Sequence, residues 1–118
     1  MKLFVYGTLK RGEYNHHCLS NSTYISDAKV EGFTLYDTGY GYPAAVEKEH
    51  SCITGEIYET SKEDFRCIRS MEFGAGYDSI DLGEFIIYTF PKERIKHLYN
   101  AKEIGRAWGK IKRRLNAI

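Results

Sequence analysis

At 118 residues, 42% of them hydrophobic and 28% charged, the chain has the length of one domain and enough apolar content to bury a core, which argues against a disordered protein and against two ordinary domains. The net charge of +1 hides an asymmetry: from Lys92 onward nine basic residues face only Glu93 and Glu103, a balance of +7, so residues 1–91 carry −6. No stretch approaches a membrane span in length, and the opening MKLFVYGTLKRG lacks the long apolar run and small-residue cleavage site of a secretory signal, so a cytoplasmic protein is expected.

Lys2–Tyr6 (KLFVY) is a short apolar run that stops at Gly7 and reads as a buried strand. Gly7–Gly12 breaks regularity, and Glu13–Leu19 has room for a short helix. Thr23–Val30 is β-prone, Gly32 interrupts it, and Phe33–Tyr36 resumes. Asp37–Gly41 (DTGYG) is a turn cluster. Tyr42–Val46 reads as a short strand, limited to an edge or a start by Pro43. Glu47–Ser51 (EKEHS) reads as a charged hairpin tip, and Cys52–Glu59 as a strand interrupted by Gly55. Thr60-Ser61-Lys62-Glu63 fits a capping box with Thr60 as the cap, and Phe65, Ile68 and Met71 follow at helical spacing to an end near Phe73–Gly76. Tyr77–Leu82 and Glu84–Phe90 read as strands joined at Gly83. From about Asn100 to Leu115, Ile104, Trp108, Ile111 and Leu115 recur at intervals of four, three and four, the pattern of an amphipathic helix with basic outer faces. Many short strands with few long crossovers point to an α+β domain with a curled or barrel-like sheet rather than a doubly wound parallel one.

Glu72 stands out by geometry. At about 100° per residue, Phe65, Ile68 and Glu72 share one narrow helix face, so an apolar stripe ends in a carboxylate aimed inward. Burial raises a carboxyl pKa toward neutrality, which suits a group that takes and returns protons. Periodicity leaves open that the helix ends earlier and Glu72 turns to water. Tyr6-Gly7-Thr8-Leu9 is a second candidate, because a strand ending in Gly lets backbone N–H groups approach an anion; a plain turn is the alternative. Neither GxxxxGK[ST] nor GxGxxG is present. His16 and His17 diverge on any helix, and His50 and His97 lie in charged surroundings, so no metal site is expected. Cys18, Cys52 and Cys67 form no CxxC pair and read as small core residues. Asp78 and Asp81, an odd number of positions apart on a strand, face opposite sides.

Phe4–Gly12 followed by Asn15-His16-His17, Gly32–Asp37 with Tyr42-Pro43-Ala44, Gly55-Glu56-Ile57-Tyr58, and Ile68–Glu72 with Tyr77 occur in an order that resembles the γ-glutamylcyclotransferase-like (AIG2-like) family. The similarity runs from Lys2 to about Phe90 of a single domain spanning the chain. It implies a small mixed β-barrel of about five to six strands flanked by helices, with no metal or organic cofactor. It also implies a γ-glutamyl substrate that is closed to 5-oxoproline with release of an amine or amino acid. By resemblance, Glu72 is the catalytic carboxylate and Tyr6, Gly7, Thr8 and Leu9 form the substrate-binding loop, with Tyr42 and Tyr77 as wall or hydrogen-bonding residues.

That chemistry suits the residues. The substrate's α-amine, with a pKa of about 8, is mostly protonated at neutral pH; Glu72 would take its proton and later deliver one to the leaving nitrogen. Arg69, Phe73 and Ser79 depart from the family pattern, which has Asp, Gly and Arg there, and this leaves the contacts to the distal part of the substrate open. A monomer is expected, with no nucleic-acid partner. The alternatives are a non-catalytic module binding a small metabolite on the same fold, or partner binding through the basic tail.

Overall fold

The computed structural model describes residues 1–109. Among them are strands β1 (Lys2–Val5), β2 (Thr23–Asp37), β3 (Pro43–Glu59), β4 (Asp78–Asp81), β5 (Ile86–Thr89) and β6 (Lys102–Gly105). Helix α1 (Lys62–Gly74) follows β3, the short helix α2 (Lys92–Lys96) follows β5, and a 3-10 turn covers His16–Leu19. The strands form one mixed sheet in the order β4-β5-β1-β3-β2-β6. β1 runs antiparallel to β3 and parallel to β5. The fold is α+β as expected, but the sheet is open, with β4 and β6 as its edges, so the barrel is not closed.

β1 shows why the sheet has two cores. Its residues alternate, so Leu3 and Val5 enter the core beneath α1, while Phe4 and the following Tyr6 enter a second core with Val30, Phe33 and Ile53. Gly55 lies where β3 crosses β1, and a Cβ there would sit 2.3 Å from the Val5 carbonyl oxygen, so only glycine permits the approach.

Two expected breaks are bulges. β2 runs unbroken through Gly32, and β3 unbroken through Glu47–Ser51, with no hairpin tip between. The register steps from Phe33↔Glu47 to Glu31↔Cys52, so Gly32 opposes the extra residues of β3. Gly32 (φ 90°) and His50 (φ 60°) take the left-handed conformation that the bulge needs. The charged side chains of Glu47–His50 are exposed there, so pairing continues on both sides without burying them.

α1 begins one residue later than the capping box implied. Ser61 is the cap and accepts from the Asp64 N–H at 3.0 Å, while the Thr60 hydroxyl donates to the Met1 carbonyl at 2.7 Å. Asp64 accepts from the Asn21 N–H and the Ser22 hydroxyl, which ties the helix start to the chain before β2. The inward face runs through buried Asp64 and Ile68 to Glu72, which is half-buried, as are Phe65 and Met71 beside it. Cys67 is exposed and Cys52 only partly buried, while Cys18, also partly buried, packs against the first core, so the reading as core residues holds in part for Cys18 and not for Cys67.

The expected helix from Asn100 to Leu115 is also corrected. Lys102–Gly105 is β6, paired with Leu35–Asp37 of β2. The exposed edge of β2 offers backbone groups that a strand satisfies and a helix does not, and Gly105 (φ 89°) leaves the helical region. Ile104 and Trp108 still reach the second core, but from a strand and its extension. Ile111 and Leu115 lie outside the described residues. No helix among the described residues is long and apolar enough to cross a membrane.

Candidate active site

The end of β1, the turn after it, the Tyr40–Pro43 turn, the last turn of α1 and Tyr88 of β5 enclose a cavity of about 260 Å³. Glu72, Tyr6, Gly7, Thr8, Leu9, Tyr42 and Tyr77 all line it. The seven residues singled out in the sequence are thus brought together by elements far apart in the chain.

Glu72 occupies the last full turn of α1, so the helix does not end before it. Its carbonyl accepts from the Tyr77 N–H at 2.9 Å, which places both side chains on the same wall. Arg94 of α2 donates to the Gly76 carbonyl and holds the chain reversal. Burial pushes the Glu72 carboxyl up to about 7 from an ordinary 4.5. It is the only charged side chain among the described residues lining the cavity. No described side chain hydrogen-bonds or ion-pairs with it.

The phenols beside it are already engaged. Tyr6 donates to the Tyr88 carbonyl at 2.6 Å and accepts from the Ala45 N–H at 3.0 Å. Tyr77 donates to the Pro43 carbonyl. Burial raises both hydroxyls well above the ordinary phenol range, so they stay neutral. Tyr42 stands between Tyr40 and Tyr77, with ring centroids 6.4 and 5.9 Å away.

Gly7 is required by packing: a Cβ there would lie 2.7 Å from Cγ of Pro43. The turn it opens is fixed from outside. Asn15 donates from its backbone to the Thr8 carbonyl at 2.7 Å and from its side chain to the Thr8 hydroxyl at 3.0 Å. Among the described residues, no protein acceptor meets the N–H groups of Gly7, Thr8 and Leu9. Further along, the Arg11 N–H and Nε donate to Glu56 at 3.0 and 3.2 Å, and the Tyr58 hydroxyl donates to the same carboxylate at 2.9 Å. Glu56 is buried, so this clamp fastens the loop to β3.

Sequence reasoning missed Tyr14, Tyr40 and Tyr88 as wall residues. Tyr88 follows Ile87, and the two point into different cores. Nothing local in Ile86-Ile87-Tyr88-Thr89 tells which one faces Glu72, because that depends on β5 running parallel to β1. The histidines do not converge: among the described residues, no three His, Cys, Asp or Glu side chains are grouped as a metal site requires. Asp78 and Asp81 are both exposed, away from the cavity.

A family model described as gamma-glutamyl cyclotransferase, AIG2-like, matches residues 3–105. A gamma-L-glutamyl-butirosin B gamma-glutamyl cyclotransferase of Niallia circulans is 42% identical over 76 residues, covering 63% of this chain and 48% of that one. The match thus spans about half the length of that relative. The crystal structure of an uncharacterised protein from Pyrococcus horikoshii superimposes with a TM-score of 0.67 at 28% identity, over 76% of this chain and 77% of that one. An AIG2-like protein from Mus musculus does so with a TM-score of 0.64 at 25% identity, over 75% of each chain.

Proposed function

Because the chain belongs to the gamma-glutamyl cyclotransferase, AIG2-like family, we propose that it cyclises a γ-glutamyl substrate to 5-oxoproline with Glu72 as general base and then general acid. The observation that carries this reading is Glu72 itself, desolvated and without a counter-charge beside the Gly7–Leu9 turn.

The nucleophile is the substrate's own α-amine, so the cavity has only to hold the γ-glutamyl chain curled for a five-membered ring to close. Glu72 accepts a proton from the α-ammonium. The freed nitrogen attacks the γ-carbonyl carbon; Glu72 returns its proton to the leaving nitrogen as the bond from that carbon to it breaks, and the second proton, shed by the ring nitrogen as it becomes the neutral lactam N–H, passes through Glu72 to the departing amine, which leaves as an ammonium. An amine thereby leaves in place of a poor amide anion. The N–H groups of Gly7, Thr8 and Leu9 hold the α-carboxylate or the carbonyl oxygen as it becomes negative. Tyr6 and Tyr77, with hydroxyls committed to backbone partners, act as walls; Tyr42 extends the wall toward the mouth. A monomeric cytoplasmic enzyme without a nucleic-acid partner remains part of the reading.

The module that binds without turnover requires a Glu72 in water with an ordinary acidity, and a half-buried carboxyl raised to about 7 by desolvation speaks against it. The test is stoichiometric release of 5-oxoproline and free amine from a panel of γ-glutamyl amines and amino acids. Wild type should release both and Glu72→Gln neither; a panel bound but never cleaved would replace the enzyme with the binding module.

A further inference from the structure

We propose that Cys18 and Cys67 form a thiol–disulfide site, at which a small-molecule disulfide oxidises the pair to an internal bond that staples the segment between β1 and β2 to α1. Such a bond forms or fails to form whatever the cavity binds.

The two cysteines stand on facing elements. The His16–Leu19 turn packs against α1. Leu19, beside Cys18, and Ile68, beside Cys67, are buried in the same core, and Cys18 itself packs against that core. Just past the turn, the Asn21 N–H and the Ser22 hydroxyl donate to Asp64 at 2.9 and 2.8 Å. Asp64, Cys67 and Met71 follow one another at intervals of three and four, so they share the flank of α1 that meets the turn. Met71 packs against the same core as Cys18. The Cys18 thiol is raised above its ordinary range by burial first and then by neighbouring Cys67, Asp64 and Glu72, as expected of a sulfur lying along that flank.

The two sulfurs have different parts, because Cys67 is exposed and Cys18 half-buried. The Cys67 thiolate attacks one sulfur of the small disulfide, forming a mixed disulfide and expelling one thiolate. The Cys18 thiolate then attacks the Cys67 sulfur, closes the Cys18–Cys67 bond and expels the second. The two cysteine protons end on the two expelled thiols, so the pair is oxidised by two electrons and the small disulfide is reduced by two. Cys52, the third cysteine of the chain, lies on β3 opposite Glu31 and takes no part. Closure reaches the cavity because the turn already holds its edge. His16 Nδ1 lies 2.9 Å from the Leu9 carbonyl oxygen, and the Asn15 side chain donates to the Thr8 hydroxyl at 3.0 Å. The bond therefore links the support of the Gly7–Leu9 turn covalently to the helix that carries Glu72.

The experiment incubates the full chain with hydroxyethyl disulfide and reads intact mass, peptide maps and thermal melts before and after reduction. The oxidised chain should lose two hydrogens, about 2 Da, and the map should join Cys18 to Cys67 with no bond between Cys52 and either. Its Tm should rise by at least about 5 °C, because the bond closes a long loop in the unfolded chain. Cys67→Ser should fold as wild type does, its side chain being exposed, and form no internal bond. Cys18→Ser should stop at the mixed disulfide on Cys67. Mixed disulfides alone in wild type, a bond that includes Cys52 or joins two chains, or no reaction at all would overturn the site. A bond that forms without raising Tm would overturn the staple. The map is made on the wild-type chain, so it decides the pairing even if Cys18→Ser folds poorly.

Discussion

Glu72 carries a cost to the fold that follows from its position. Its carboxyl is raised to about 7 in the folded protein against 4.5 ordinarily, so the folded state binds the proton more tightly than the unfolded chain. Well below pH 4.5 both states are protonated and the site is neutral for stability. As pH rises toward 7 and above, ionisation in a desolvated site opposes folding. Glu72→Gln should therefore be more stable than wild type at pH 8, by on the order of 1–2 kcal/mol once the cavity's solvent screening is allowed for, and unchanged at pH 4. Urea denaturation at the two pH values reads this directly. Gly7 has the opposite standing. A methyl group there meets Pro43, so Gly7→Ala should lower the melting temperature and displace the turn even though no charge changes. Glu72 was legible in the sequence because a 3.6-residue period reports which way a helical side chain points. Gly7 was singled out for a backbone's approach to a ligand, whereas the reason visible in the fold is the ring of Pro43, 36 positions further along the chain and out of reach of any local pattern.

At the scale of elements, the loop that follows β1 is held at both ends. Asn15 fixes Thr8, and Glu56 fixes Arg11. Glu56→Ala removes three hydrogen bonds to a buried carboxylate and should cost about 2 kcal/mol; under the proposed mechanism it should also raise KM more than it lowers kcat, since it loosens the turn proposed to bind substrate and leaves Glu72 in place. Ser61→Ala should cost about 1 kcal/mol by leaving the Asp64 N–H uncapped. Thermal melts and steady-state kinetics check the two. The strands and α1 were legible because alternation and helical spacing are local. The bulge at Gly32 was read as a break because a glycine that ends a strand and one that bends it look alike until the partner's register is known. β6 was misread for a related reason: Ile104 and Trp108 are four apart, which suits a helix, and only the vacant edge of β2 decides for a strand.

On the scale of the whole molecule, one sheet serves two cores. β1 and β3 send residues into both, so neither core can be lost while the other stays intact. The chain's single tryptophan, Trp108, packs against the second core, and Ile68 is fully buried in the first. Ile68→Val should lower stability by about 1 kcal/mol, and the shift should be the same by Trp108 fluorescence as by far-ultraviolet circular dichroism. Separate transitions would mean that the cores unfold independently. The same architecture gathers the site: β1 delivers the turn, α1 the carboxylate and β5 Tyr88, so the cavity exists only when the sheet and α1 are both formed.

The pH dependence of kcat/KM for 5-oxoproline release, measured side by side in wild type and Glu72→Gln, tests the central claim most directly. A base with a pKa of about 7 must be ionised to accept the α-ammonium proton, so the wild-type rate should fall tenfold per pH unit below about 7, and Glu72→Gln should show no such limb and a rate lower by at least about a hundredfold. A wild-type profile flat from pH 5 to 8, or a Glu72→Gln enzyme with the wild-type rate, would contradict it.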